Sequence, residues 1–160
     1  MTVDRRLAVD FVHHESRLLD DGDLDGWLDL FAEECRYWVP AERGNHDPDR
    51  EVSIVYDDRP RLKARVVRLT SGKEYAQDPP SVTCHQLSNI MVNGADDEII
   101  EVDAVQVVYE TRPNTGLQIV PGRVRWLLRR RGDGAGLEII EKRIDLVEIH
   151  RYFPNLTFIL

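Results

Sequence analysis

At Val82 the hydrophobic period of this chain changes from 3.6 residues to 2. Before that point Leu7, Phe11, His14 and Leu18, with Ala8, Val12 and Leu19 beside them, repeat at i, i+4, i+7 and i+11. That spacing predicts an amphipathic helix ending at Asp20-Asp21-Gly22, where glycine supplies a left-handed end. Asp23 can cap a second helix with Leu24, Trp27, Leu28 and Phe31 on one face. A short strand, Arg36 to Val39, ends at Pro40, residues 41–50 read as a loop, and a second short strand spans Glu51 to Tyr56. Asp57 or Asp58 can cap a third helix, with Pro60 in its first turn, a buried stripe of Leu62, Val66 and Leu69, and an end at Ser71-Gly72.

After a connection over residues 75–81, four long strands are expected at about 82–93, 98–112, 117–131 and 137–149. Asn93-Gly94, Asn114-Thr115-Gly116 and Gly132-Asp133-Gly134 supply the turns between them. Helices followed by an antiparallel meander give an α+β class, N-terminal helices packed on one face of a strongly curved antiparallel sheet. The 160 residues fit a single domain, 1–160, with no repeat or linker.

Centring the first hairpin between Ala95 and Asp96 pairs His85 with Gln106, Asn89 with Val102 and Met91 with Ile100, provided no bulge intervenes. Centring the next on Thr115 pairs Val124 with Gln106, Trp126 with Ala104 and Leu128 with Val102. Three polar side chains, His85, Asn89 and Gln106, then face an apolar interior that would also hold Trp38, Met91 and Trp126. A few polar groups in an apolar lining are the general form of a small-molecule pocket, with His85 as acid or base. The same three groups can equally satisfy one another inside a packed core.

Other chemistry is poorly supplied. Cys35 and Cys84 are too few and too distant for a disulfide framework, and the Cys and His spacing of a Rieske centre is absent. His13 and His14 are adjacent and point about 100° apart on a helix, and His46 and His150 have no partner at ligand spacing, so no metal site is expected. There is no phosphate-binding glycine loop, nucleophile elbow or H-E-x-x-H helix. Ser88 and His85 are expected on opposite strand faces, which excludes a direct nucleophile and base pair.

The formal net charge of −8 argues against nucleic acid and anionic membranes, and no apolar run has the length of a signal peptide or a membrane span. A cytoplasmic location is expected. The charge is unevenly spread: residues 1–40 carry ten acids against four arginines, residues 59–73 six basic groups, and residues 121–131 five arginines. Arg61, Arg65 and Arg68 share a helical face, and the closing run from Tyr152 to Leu160 is apolar and aromatic. Such a tail either folds back as an edge strand or enters a subunit interface. Arg61, Arg65, Arg68, Phe153, Leu156 and Phe158 are therefore the candidate interface residues.

Several segments together resemble one family: Leu18-Leu19-Asp20 leading to Trp27-Leu28-Asp29-Leu30-Phe31, Tyr37-Trp38-Val39-Pro40, and Tyr56-Asp57-Asp58 before Arg65-Val66-Val67-Arg68-Leu69. The run Asp78-Pro79-Pro80-Ser81-Val82-Thr83-Cys84-His85 into Ser88-Asn89, and the closing Asn155-Leu156-Thr157-Phe158, continue it in order. The chain resembles the small (beta) subunits of aromatic-ring-hydroxylating, Rieske-type dioxygenases. The resemblance is loose around Val124 to Trp126 and absent in the loop at residues 41–50.

It implies an NTF2-like, SnoaL-like cone, as in nuclear transport factor 2 and ketosteroid isomerase, and a supporting role in aromatic catabolism. The partner large (alpha) subunit then carries the Rieske [2Fe-2S] cluster, the mononuclear Fe(II) and the substrate pocket, typically in an α3β3 hexamer with contacts between small subunits. No catalytic, cofactor or metal residue transfers to this chain. Because relatives of the fold include enzymes, two other readings stay open. One is a small isomerase, dehydratase or cyclase using His85 with Asn89 or Gln106 in its own cone; the other is a ligand-binding module.

Overall fold

A computed structural model describes residues 4–44, 47–71, 79–94, 98–113, 115–149 and 157–160. Helix α1 covers Arg5–Asp20, and Asp4 caps it by accepting from the Leu7 N–H at 3.1 Å. Helix α2 covers Leu24–Leu28 behind the expected Asp23 cap, which accepts from Gly26 at 2.9 Å. Helix α3 covers Arg59–Thr70; of the two candidate caps Asp58 takes the role, accepting from Arg61 at 3.1 Å. Leu62 and Val66 form its buried stripe, with Leu69 packed at the core margin.

The strands are β1 (Phe31–Pro40), β2 (Ser53–Asp57), β3 (Val82–Gly94), β4 (Ile99–Arg112), β5 (Gly116–Arg130) and β6 (Leu137–Leu146). They form a sheet of order β2-β1-β6-β5-β4-β3. The four-strand meander is as expected, but β6 stops at Leu146. A second departure is that Phe31 does not continue α2. It opens β1, five residues before the expected Arg36, because β1 lies parallel to β6 with Phe31 beside Ile139. The Ile139 N–H also donates to the Leu30 carbonyl at 2.8 Å. The sheet is therefore mixed at this one junction, and the strand pairing outweighs the helical spacing.

The register differs from expectation in an instructive way. In the second hairpin Ala104 pairs with Val124, Val102 with Trp126 and Gln106 with Gly122, a slip of two residues that keeps every side chain on its expected face. In the first, His85 pairs with Val108 and Leu87 with Gln106, again an even slip, but a bulge lies between Ser88 and Met91. Asn89 sits in it at φ 53, a left-handed conformation that asparagine tolerates better than most residues. The bulge turns the far half of β3 over, so Asn89 and Met91 are exposed rather than inward, and Ile90 and Val92 take the inner positions.

α1 and α3 cover the inner face, whose core combines Trp27, Trp126, Leu128, Ile139 and Ile144 with Leu62 and Val66. Trp38 is also buried, but it pairs with Arg143 on the outer side of β1. There its indole lies under the Arg143 guanidinium at 4.5 Å and donates to Ser53 Oγ at 2.9 Å. It does not fill the interior as expected. The tail does not form an edge strand within the described residues: Ile159 and Leu160 are buried in the core, and the sheet edges are β2 and β3.

Candidate functional site

Of the polar trio expected inside, His85 and Gln106 are buried on the inner face and Asn89 is not. His85 meets the last residue of α1. Its Nδ1 lies 2.6 Å from Asp20 Oδ1, and its backbone N–H donates to the same carboxylate at 2.9 and 3.1 Å. Thr83 adds a hydroxyl donor at 3.1 Å. Burial alone pushes the Asp20 pKa up, but the His85 side-chain and backbone hydrogen bonds, the imidazole charge and Thr83 together hold it below its ordinary value. The arrangement is a clamp that fixes the end of α1 onto β3. Among the described residues His85 Nε2 and Gln106 Oε1 have no hydrogen-bond partner.

The clamp has a definite pH signature. A carboxylate whose folded pKa is depressed contributes stability that is present above its unfolded value, near 3.8, and is lost as pH falls through the folded value. Asp20→Asn is therefore expected to lower the urea midpoint at pH 6, with the gap to wild type narrowing steadily below about pH 4. A gap that stays constant from pH 6 to pH 3 would remove the ionised clamp from the account.

A second polar group lies deeper and was not anticipated. Glu15 and Lys142 are both fully buried, with Lys142 Nζ 2.7 Å from Glu15 Oε1. Trp27 Nε1 donates to the same oxygen at 2.6 Å, and Lys142 also donates to Leu160 O at 2.7 Å. Tyr37 completes the knot: its hydroxyl accepts from the Leu160 N–H at 3.0 Å and donates to Leu160 O at 3.3 Å. Burial pushes the Lys142 ammonium down, opposed by Glu15, and drives the Tyr37 phenol well above its ordinary value. The α1 spacing held a clue, since Glu15 falls on the buried stripe with Ala8, Val12 and Leu19. Its partner is 127 residues away and no local pattern points to it.

Of the candidate interface residues, Arg65 is held by Asp57, with Nε 2.7 Å from Oδ2, while Arg61 and Arg68 are exposed. Phe158 packs against the core. Phe153 and Leu156 lie outside the described residues. A cavity of about 350 Å³ lies between the ends of α1 and α3 and the tail, lined by Leu19, Leu24, Leu69, Thr83, Phe158 and Ile159 among others; neither His85 nor Gln106 lines it. The two cysteines sit apart, Cys35 in the core and Cys84 exposed on β3. Among the described residues no group of three or more His, Cys, Asp or Glu side chains is placed to hold a metal ion. This donor set does not fit a Rieske cluster or a mononuclear iron.

Residues 14–151 match the model of the ring hydroxylating beta subunit family. This chain belongs to that family. The beta subunit is 38% identical, over 90% of its own length and 79% of the relative's, to the small oxygenase component of the p-cumate 2,3-dioxygenase system of Pseudomonas putida. Its fold matches the crystal structure of the beta subunit of benzoate 1,2-dioxygenase from Burkholderia mallei with a TM-score of 0.77, at 25% identity and covering 99% of both chains. An NTF2-like protein with a cystatin-like fold from Novosphingobium aromaticivorans shares the architecture at TM-score 0.62 and 18% identity, over 91% of this chain and 82% of that one. The expected α+β, NTF2-like class is thereby confirmed, as is membership of the dioxygenase small subunits. Among the described residues, no helix of this beta subunit is long and apolar enough to cross a membrane.

Proposed function

We propose that this beta subunit is the non-catalytic, structural partner of a large alpha subunit in a cytoplasmic, multicomponent aromatic-ring-hydroxylating dioxygenase, assembled as an α3β3 hexamer. The Rieske [2Fe-2S] cluster, the mononuclear Fe(II) and the aromatic substrate then belong to the alpha subunit. The observation that carries this reading is the interior. Where a cone enzyme of this fold needs an open, solvated chamber, this chain places Trp27, Trp126, a Glu15 and Lys142 ion pair and Leu160, all sealed from solvent. His85, which could act as a base, has a fully buried side chain that does not line the cavity beside the tail, and Asn89, which could have oriented a substrate, faces out.

The work of such a subunit is positional. A rigid sheet holds neighbouring alpha subunits in register, and a misplacement of about 1 Å at a reacting centre can cost roughly a hundredfold in rate. Arg61 and Arg68 on α3, with the tail residues Phe153, Leu156 and Phe158, are the proposed contact between neighbouring small subunits; Arg65 supports it through Asp57.

Co-expression with a candidate alpha subunit is the test. The two chains are expected to co-purify as one species of hexameric mass with iron and acid-labile sulfide bound, whereas the beta subunit alone carries neither. An alpha subunit that is fully active and stably assembled without this chain would refute the reading.

A further inference from the structure

The outer face of the sheet, which no helix among the described residues covers, is divided into two unlike halves. Near the β4–β5 hairpin the cross-strand rows are Val82, Thr111 and Leu117, then Cys84, Tyr109 and Ile119, then Gln86, Val107 and Pro121. Large apolar side chains stand out to solvent there: Val82 is 68% exposed, Leu117 65% and Ile119 45%. Isolated exposed aliphatics are ordinary, but Val82 on β3 and Leu117 and Ile119 on β5 flank Thr111 and Tyr109 of the intervening β4, an arrangement of the kind that marks an interaction site.

Along the same strands the face becomes charged. Arg123 stands opposite Asp145 in the register and Arg125 opposite Arg143, around a groove of about 490 Å³ that Arg43 and Asp103 also line. Four arginines face two aspartates. Arg125 is held by Asp103 at 3.1 Å, and Arg143 by both oxygens of Asp145 at 3.0 Å. Among the described residues Arg43 donates only to the Val147 carbonyl, and Arg123 has no ion pair. Glu101 and Glu141 also act on Arg125, so the cations this groove leaves for a partner are Arg43 and Arg123, beside the apolar patch.

We propose that this outer face is the docking surface for the alpha subunit, and that the docked surface presents an apolar ridge bordered by carboxylates. The inference rests on the structural-subunit reading above and adds to it the face that is used. A second copy of this chain fits the face poorly. A two-fold contact centred on the apolar half leaves the arginine groove uncovered, and groove against groove sets arginine on arginine. The acidic turn around α2, with Asp21, Asp25 and Asp29 exposed, could enter the groove, but it offers no exposed large apolar side chain for the other half. A different chain carrying both features covers both halves at once.

The experiment measures binding of full-length beta variants to immobilised, purified alpha subunit, with sedimentation velocity of each beta chain alone. Ile119→Asp is expected to weaken binding at least tenfold. Arg123→Glu is expected to weaken it several-fold in 50 mM salt and less in 500 mM, since the loss is partly screened charge. Arg6→Glu, at an exposed position on α1 away from this face, serves as a control expected to bind like wild type. All three substitutions lie at exposed positions, and unchanged thermal midpoints will separate lost docking from lost folding. If wild type binds alpha but Ile119→Asp and Arg123→Glu bind equally well, the face is overturned and the subunit reading stands. If beta alone self-associates and these two variants abolish that association, the face belongs to a second copy and the proposal fails. If wild type does not bind alpha at all, the subunit reading falls and takes the docking face with it.

Discussion

Lys142→Met is expected to destabilise the protein by about 3–5 kcal/mol, the cost of leaving a buried charge without its partner. Lys142 Nζ is the only cation within reach of Glu15 among the described residues, and it also serves Leu160 O. Methionine fills the space but donates nothing. Glu15 then keeps only the Trp27 N–H, with its second oxygen unpartnered among the described residues. For a chain of this length the loss corresponds to a fall in Tm of about 10 °C. The double variant Glu15→Gln with Lys142→Met removes both charges together and is expected to recover most of the deficit, because the pair's attraction largely offsets its own desolvation. Urea unfolding of the three variants checks this. A single variant within about 1 kcal/mol of wild type would show that the interior solvates Glu15 by another route.

Trp27→Ala is expected to cost about 3–5 kcal/mol, with Trp27→Phe costing about 1–3 kcal/mol. The indole is fully buried at the meeting point of α2, β1 and α1, edge-on to Phe31 at 4.8 Å and to Tyr37 at 5.7 Å. Alanine forfeits that packing and opens a cavity, while phenylalanine keeps most of the volume and loses only the N–H to Glu15. The order alanine worse than phenylalanine separates packing from hydrogen bonding; equal losses would mean the hydrogen bond alone matters. Because Trp27 and Lys142 donate to the same Glu15 oxygen, their effects will not add, and a double-mutant cycle is expected to show coupling.

What could be read in advance was local. Helix α1, the caps at Asp23 and Asp58, and the even alternation along β4 all announce themselves within a few residues. The buried line of α1 nonetheless runs through Ala8, Val12 and Leu19, while the expected Leu7, Phe11 and Leu18 are half-buried and His14 is exposed. The features that escaped depend on distant partners. Phe31 has helical spacing with Leu24 and Leu28, and only Ile139, far along the chain, draws it into β1. Asn89 sits in a run that alternates correctly, and the bulge that turns it outward is visible only once β4 is in place. Arg61, Arg65 and Arg68 look alike on a helical wheel, yet β2 delivers Asp57 to one of them. For the interior, one acid on an apolar stripe was the single legible sign of a buried ion pair.

The parallel seam between β1 and β6 also sets an order of events during synthesis. β1 emerges from the ribosome early, but the strand it pairs with in parallel is Leu137–Leu146, and Tyr37 waits for Leu160. Glu15 therefore has no ammonium to meet until Lys142, 127 residues later, has been made. Closing contacts of such long sequence separation slows folding, and the half-made product exposes an acid, an indole and strand edges. Products that stop before β6 are thus expected to be aggregation-prone, so that the supply of this subunit to any assembly depends on β6 having been made.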